Sequence, residues 1–173
     1  SSAEIYYPSD NTWVATQPMP IARFGAVARR LPNGDVLVAG GDTGTTTNAT
    51  VTSSAELYDP ATGSWAAAAP LAYPTAFAQA ATLHSGNVLV EGGVLDQGGA
   101  LGTGTATGLA QIYGPAAGTW SLTGSSGVGR YDASEVVLPD GQVVVAGGRS
   151  SASVPLSSTE IYNPATGQWS QTG

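Results

Sequence analysis

Side chains able to do acid–base, metal or anion chemistry are few in this 173-residue chain, and their scarcity excludes several functions together. There is no cysteine, which removes disulfides, thiolate zinc sites, iron–sulfur clusters and cysteine nucleophiles. His84 is the single histidine, so no catalytic or metal site using two histidines forms within one chain. The basic side chains are Arg23, Arg29, Arg30, Arg130 and Arg149, set against 12 acidic residues. A net charge of −7 opposes binding to nucleic acid or to an anionic membrane. What remains is recognition chemistry. Arg23 and Arg130 can each grip a carboxylate or a sugar hydroxyl through two N–H groups. Phe24, Tyr73, Phe77 and Tyr131 lie close to these positions or their repeat equivalent, and can stack on a sugar or plug a channel. Asp42 and Arg149 each follow a Gly-Gly pair, and Glu91 interrupts an aliphatic run. No carboxylate pair stands out as a hydrolase acid and base, and no acidic run has calcium-loop spacing. No metal and no cofactor is expected.

Internal repetition shows what must position these residues. Ala3-Glu4-Ile5-Tyr6-Tyr7-Pro8 recurs at Ala55–Pro60, Ala110–Pro115 and Thr159–Pro164, and each copy's tyrosine is followed seven positions later by a tryptophan. Those tryptophans are Trp13, Trp65, Trp120 and Trp169, about 50 residues apart. A second block, Leu31–Gly41, recurs at Leu83–Gly93 and Leu138–Gly148, each time ending in Gly-Gly. Pro32-Asn33-Gly34, His84-Ser85-Gly86 and Pro139-Asp140-Gly141 suit a three-residue hairpin with a left-handed glycine. Gly63, Gly118 and Gly167 mark a second turn, and Asn11 holds that position in the first copy. Four short strands per period follow, labelled a to d. Strand a covers 25–31, 77–83 and 132–138, and b covers 35–40, 87–92 and 142–147. Strand c covers 3–7, 55–59, 110–114 and 159–163, and d starts at each tryptophan.

Four antiparallel strands repeated at this period describe a β-propeller blade. The order of Gly-Gly, variable loop, then Tyr and Trp at fixed spacing resembles the kelch repeat over nearly the whole chain. The Tyr-x-Pro-x-x-Gly-x-Trp form is similar to the kelch-like repeats of galactose oxidase and related bacterial secreted proteins. The fold class is therefore all-β, with kelch-type propeller blades of four-stranded antiparallel sheets. The expected division is a c–d half-blade over 1–16 and blades over 17–69, 70–124 and 125–173. Such an arc does not close a ring, so it implies the remainder of a longer propeller or a homo-oligomer. Nothing reads as a signal peptide or a membrane span, which suits a mature, truncated or cytosolic chain.

In a propeller the tight a–b and c–d turns share one face, and the variable b–c and d–a connections share the other, where binding usually sits. The 94–109 connection is glycine-rich but lacks the Lys-Ser/Thr and helix of a phosphate loop, and reads as a solvated linker. Arg23 and Arg130, with Thr75 between them, should ring the channel mouth. There kelch arginines often make structural hydrogen bonds to neighbouring loops. Arg23, Phe24, Asp42, Arg130, Tyr131 and Arg149 are the candidate ligand-binding residues. Glu91 is expected to pair with Arg29 or Arg30, and His84 to sit exposed in a tight turn. Asn48-Ala49-Thr50 is a formal glycosylation sequon. The resemblance to galactose oxidase implies a copper site with cysteine, histidine and tyrosine, which zero cysteines and one histidine exclude here. Kelch-like enzymes acting on sialic acid use arginines and carboxylates facing the channel, a reading that Arg23, Arg130 and Glu91 leave barely open. The function expected is a non-catalytic interaction module, with a protein ligand ahead of a carbohydrate, and an extracellular or cell-surface location. A catalytically incomplete fragment of a galactose oxidase-like enzyme is the remaining alternative.

Overall fold

The computed structural model describes residues 2–45, 48–95 and 104–172. Part of the 94–109 connection, including Gly98, Gly99, Gly102 and Thr103, lies outside them. A two-stranded hairpin of β1 (Glu4–Tyr7) and β2 (Thr12–Ala15) comes first. The first four-stranded sheet holds β3 (Val27–Arg30), β4 (Val36–Ala39), β5 (Ala55–Asp59) and β6 (Ser64–Ala68), neighbours in chain order. The next sheet begins with β7 (Gln79–Thr82) and β8 (Val88–Glu91). A small ribbon of β9 (Val94–Leu95) and β10 (Thr105–Ala106) then intervenes, before β11 (Ala110–Gly114) and β12 (Thr119–Leu122) complete that sheet. The last sheet orders β13 (Ser134–Val137), β14 (Val143–Ala146), β15 (Thr159–Asn163) and β16 (Gln168–Gln171). All pairings are antiparallel, and the inner strands β3, β7 and β13 pack side by side about one axis.

Turn chemistry sets the registers. Gly34, Gly86 and Gly141 take φ of 101°, 85° and 87° at the inner hairpins, as the sequence required. At the outer hairpins Gly63, Gly118 and Gly167 are left-handed too, and Asn11 joins them at φ 56°. The outer strands begin one residue before each tryptophan, not at it. Thr12, Ser64, Thr119 and Gln168 pair with the residue after each tyrosine, which extends the ladder by one step.

Packing between sheets follows the two-residue alternation of strands. Val27, Leu37 and Ala39 of the first sheet meet Ala80, Val88, Val90 and Tyr113 of the second. Ala81, Leu89 and Ala110 of the second meet Val143 and Tyr162 of the third. Each Tyr–Trp pair stacks at 5.0 to 5.2 Å between ring centroids. The indole N–H then reaches back one sheet: Trp65 donates to Gln17 O, Trp120 to Ala69 O and Trp169 to Gly124 O. Each acceptor lies four residues after the preceding tryptophan, so one residue type fills the core and sets the spacing of neighbouring blades. Trp65 also places the β1–β2 hairpin as the neighbour before the first sheet. Trp13, on that hairpin, is 66% exposed.

Candidate functional site

The repeat aligns Arg23, Thr75 and Arg130 just before the inner strands, and the structure gives all three one task. Arg23 Nη1 donates to Gly40 O at 2.7 Å and Ser54 O at 2.9 Å, and Nη2 to Ser54 Oγ. Arg130 repeats this with Gly147 O, Ser158 O and Ser158 Oγ, and pairs with Glu160 Oε2 at 2.9 Å. Arg23 pairs with Glu56 Oε1 at 3.3 Å. In the middle blade Thr75 Oγ1 reaches the matching carbonyl, Gly92 O, at 2.8 Å. The partners change with it: Ser54 and Ser158 become Leu109, and Glu56 and Glu160 become Gln111. Gln111 keeps the acceptor role, taking Ala72 N as Glu160 takes Gly127 N. Pro20 holds that position in the first blade and has no N–H, and Glu56 Oε2 is without a donor. Three positions have thus exchanged together, from Arg-Ser-Glu to Thr-Leu-Gln. That coupling was visible in the sequence but needed strands b and c in register to be seen.

These bonds decide which candidate residues face solvent. Arg130 is fully buried, and the side chain of Arg23 is 1% exposed. Asp42 is 1% exposed, with Oδ1 accepting from Gly44 N and Thr50 N, so it closes its own loop. Tyr131 is buried, its hydroxyl 2.9 Å from Ser153 Oγ. Phe24 is 39% exposed and meets Phe77 edge-on at 5.7 Å. Arg149 is exposed and donates to Ser153 O. The rim is a short ladder: Phe24, Ala76 and Tyr131 bridge Asp42, Val94 and Arg149. From these the long connections rise, returning through Val51, Ala106 and Pro155. Across the mouth, Phe77 N donates to Gly25 O and Asp132 N to Phe77 O, linking the three blades. Asn48 of the sequon is exposed in the first connection.

A second polar group was missed. Glu91 is fully buried in β8, but its partner is Ser126, whose hydroxyl donates to Oε1 at 2.5 Å, rather than Arg29 or Arg30. Arg29 turns to backbone carbonyls, Ala28 O and Ala80 O. Burial pushes the Glu91 carboxyl up to about 7, against the Ser126 bond and the Arg130 charge, with Glu160 adding to the rise. Glu135, on β13, is pushed up to about 8 by burial and then by Glu91, while Arg29 pulls it down. Glu135 and Gln79 line an axial cavity of about 210 Å³ with Arg29. The available signal was that Glu135 replaces Ala28 and Ala80 of the other copies.

On the opposite face two hollows of about 350 Å³ lie between neighbouring tight turns, one bordered by exposed His84 and Asp140, the other by Asn33 and Asn87. They recur at equivalent turns, as expected of gaps between splayed blades. Among the described residues, no group of three or more His, Cys, Asp or Glu side chains could hold a metal ion. No helix among them is long and apolar enough to cross a membrane.

Residues 32–72 and 133–172 match the kelch motif. Among solved structures, that of YjhT superposes with a TM-score of 0.78 at 18% identity, covering 95% of this chain. This chain covers 56% of the length of that one, and the likeness shows the fold alone. No curated protein matches the chain.

Two outcomes follow from the buried charges. Arg130→Thr or Glu160→Gln alone strands a buried charge and should cost about 3–5 kcal/mol in urea unfolding. The triple change Arg130→Thr, Ser158→Leu and Glu160→Gln copies the middle blade and should recover most of it. Glu91 and Glu135 carry folded values near 7 and 8 against an ordinary 4.5. The folded chain therefore holds protons that the unfolded chain has lost, and this stability, complete below pH 4.5, fades as pH rises through 7 and 8. Melting temperature should fall from about pH 5 to pH 8.5, and Glu135→Gln should flatten that fall.

Proposed function

We propose that this chain, a run of kelch-type propeller blades, is a non-catalytic binding module that takes a protein partner on its long-connection face. The observation behind this reading is the difference between its two faces. Tight turns of nearly constant length and type form one face. The other carries connections that differ in every blade, raised on the rigid ladder at Asp42, Val94 and Arg149. Ile21, Phe24 and Val154, on connections of that face, are 41%, 39% and 56% exposed. Apolar side chains offered beside an exposed arginine suit a protein surface, where aromatic and arginine anchors dominate affinity. The net charge of −7 favours a neutral or basic partner. Buried Arg23, Asp42 and Arg130 support the rim from beneath and leave contact to Phe24 and Arg149. A carbohydrate is the second reading, favoured by the exposed ring of Phe24. The arc fits either the remainder of a longer propeller or a homo-oligomer, at an extracellular or cell-surface location.

Panning a displayed peptide library on the protein, beside a glycan array, separates these readings. Peptide binding should weaken about tenfold in Phe24→Ala and in Arg149→Ala, and persist in His84→Ala and Asp140→Ala. Glycan signal with the same dependence would make the module lectin-like. Binding lost only in the His84 and Asp140 variants would move the site to the tight-turn face and overturn the reading.

A further inference from the structure

The two interfaces between complete blades use the same strand positions and differ in chemistry. Where the first sheet meets the second, those positions hold Val27, Ala39 and Ala80. Where the second meets the third they hold Gln79, Glu91 and Glu135. The polar replacements do not satisfy one another. Gln79 Oε1, Glu91 Oε2 and both oxygens of Glu135 are buried without a hydrogen-bond partner. Gln79 is 6% exposed, and its amide nitrogen is committed to Phe77 O, which identifies the oxygen as the free end. Once the two carboxyls ionise, these four buried oxygens are acceptors that no protein group serves, and they gain most from a ligand rich in N–H groups.

Shape and charge narrow that ligand. The cavity between Gln79 and Glu135 has a volume of about 210 Å³, against roughly 30 Å³ for one water in the liquid. Much of its wall is Ala26, Ala28, Ala78, Ala80 and Ala133, which suits an alkyl chain. Arg29 also borders it, with its guanidinium bound to the carbonyls of Ala28 and Ala80. Ionised Glu91 and Glu135 against Arg29 leave one net negative charge, since Arg130 and Glu160 neutralise each other. A monovalent cation balances that charge.

We propose that this axial cavity binds a primary ammonium ion carried on an alkyl chain. Its N–H groups donate to Gln79 and Glu135, its methylenes lie against the alanines, and Glu91, beside the cavity, adds its charge to that of Glu135. The ammonium belongs either to a free alkylamine or to a lysine side chain presented by a partner. This site uses none of the residues of the long-connection face, so either reading stands or falls alone. Carboxyls that burial keeps protonated must ionise to receive the cation, so binding releases protons and strengthens from pH 6 towards pH 8.5. The charges bearing on Glu135 are Glu91 from β8 and Arg29 from β3; those on Glu91 are Arg130 and Glu160.

The test is titration calorimetry of the protein with 1-butylamine, with Nα-acetyl-lysine amide and with calcium chloride, in two buffers of different ionisation enthalpy. The comparison variant is Gln79→Val, Glu91→Ala and Glu135→Ala together, which copies the first interface and so should fold with an unchanged or higher melting temperature. Amine binding with proton release, weakened more than about tenfold in that variant, is expected from the loss of every acceptor. Equal affinity for the two amines would assign the site to free amines, and tighter binding of the lysine derivative to a partner's side chain. Absence of amine binding to the unmodified protein, equal binding to the variant, or binding of calcium in place of amines would overturn the proposal.

Discussion

Blades stand side by side here because backbone meets backbone at the end of each second strand. Gly41 N donates to Thr75 O and Gly93 N to Arg130 O, each at 2.8 Å, and each bond crosses from one sheet to the next. Both residues of each Gly-Gly pair are left-handed, at 68° and 93° for Gly40 and Gly41 and 73° and 89° for Gly92 and Gly93. A Cβ on Gly40 would run into Thr75 O, and one on Gly92 would come within 2.6 Å of Arg130 O. No other residue type permits both the turn and the approach. A sheet positioned only by side-chain packing has freedom to slide over its neighbour. These bonds remove that freedom close to the axis, where sliding would displace the rim most.

The buried polar groups are arranged around that same point. The residue whose carbonyl accepts from the preceding blade is Thr75 or Arg130, and its side chain binds the Gly-Gly carbonyl of its own blade. One residue therefore ties two sheets together, through backbone on one side and side chain on the other. Arginine with a glutamate, or threonine with a glutamine, does this equally. A buried pair gains little over a neutral substitute when both partners change, and costs much when only one does. That asymmetry accounts for exchange as a set. It also explains why the rim surface falls to Phe24 and Arg149: the other polar groups beneath are engaged in holding the loops.

The architecture was legible in the sequence because its determinants are local. Asn11 standing where other copies have glycine marked the outer turn, and its φ of 56° is the geometry inferred. Tyr and Trp at constant spacing marked the core pair for the same reason. What escaped depends on contacts between blades. The expectation that Glu91 pairs with Arg29 or Arg30 used proximity along the inner strands. Alternation placed Glu91 towards the third blade instead, where Ser126 lies 2.5 Å away. Glu135 went unnoticed because a glutamate in a short strand reads as a solvated side chain until its neighbours are known. The repeat aligns Arg23 and Arg130 just before the inner strands, but the depth of burial that commits them to backbone carbonyls comes from packing.

Native-state hydrogen exchange at the glycine amides tests the central claim most directly. Gly41 and Gly93 donate across blades, whereas Gly148, the equivalent residue of the last sheet, has no backbone acceptor among the described residues. If interblade backbone bonds hold the arc together, Gly41 and Gly93 exchange only on global unfolding, and Gly148 exchanges orders of magnitude faster. Exchange of Gly41 and Gly93 as fast as that of Gly148 would show that the blades separate without unfolding, and would contradict the account.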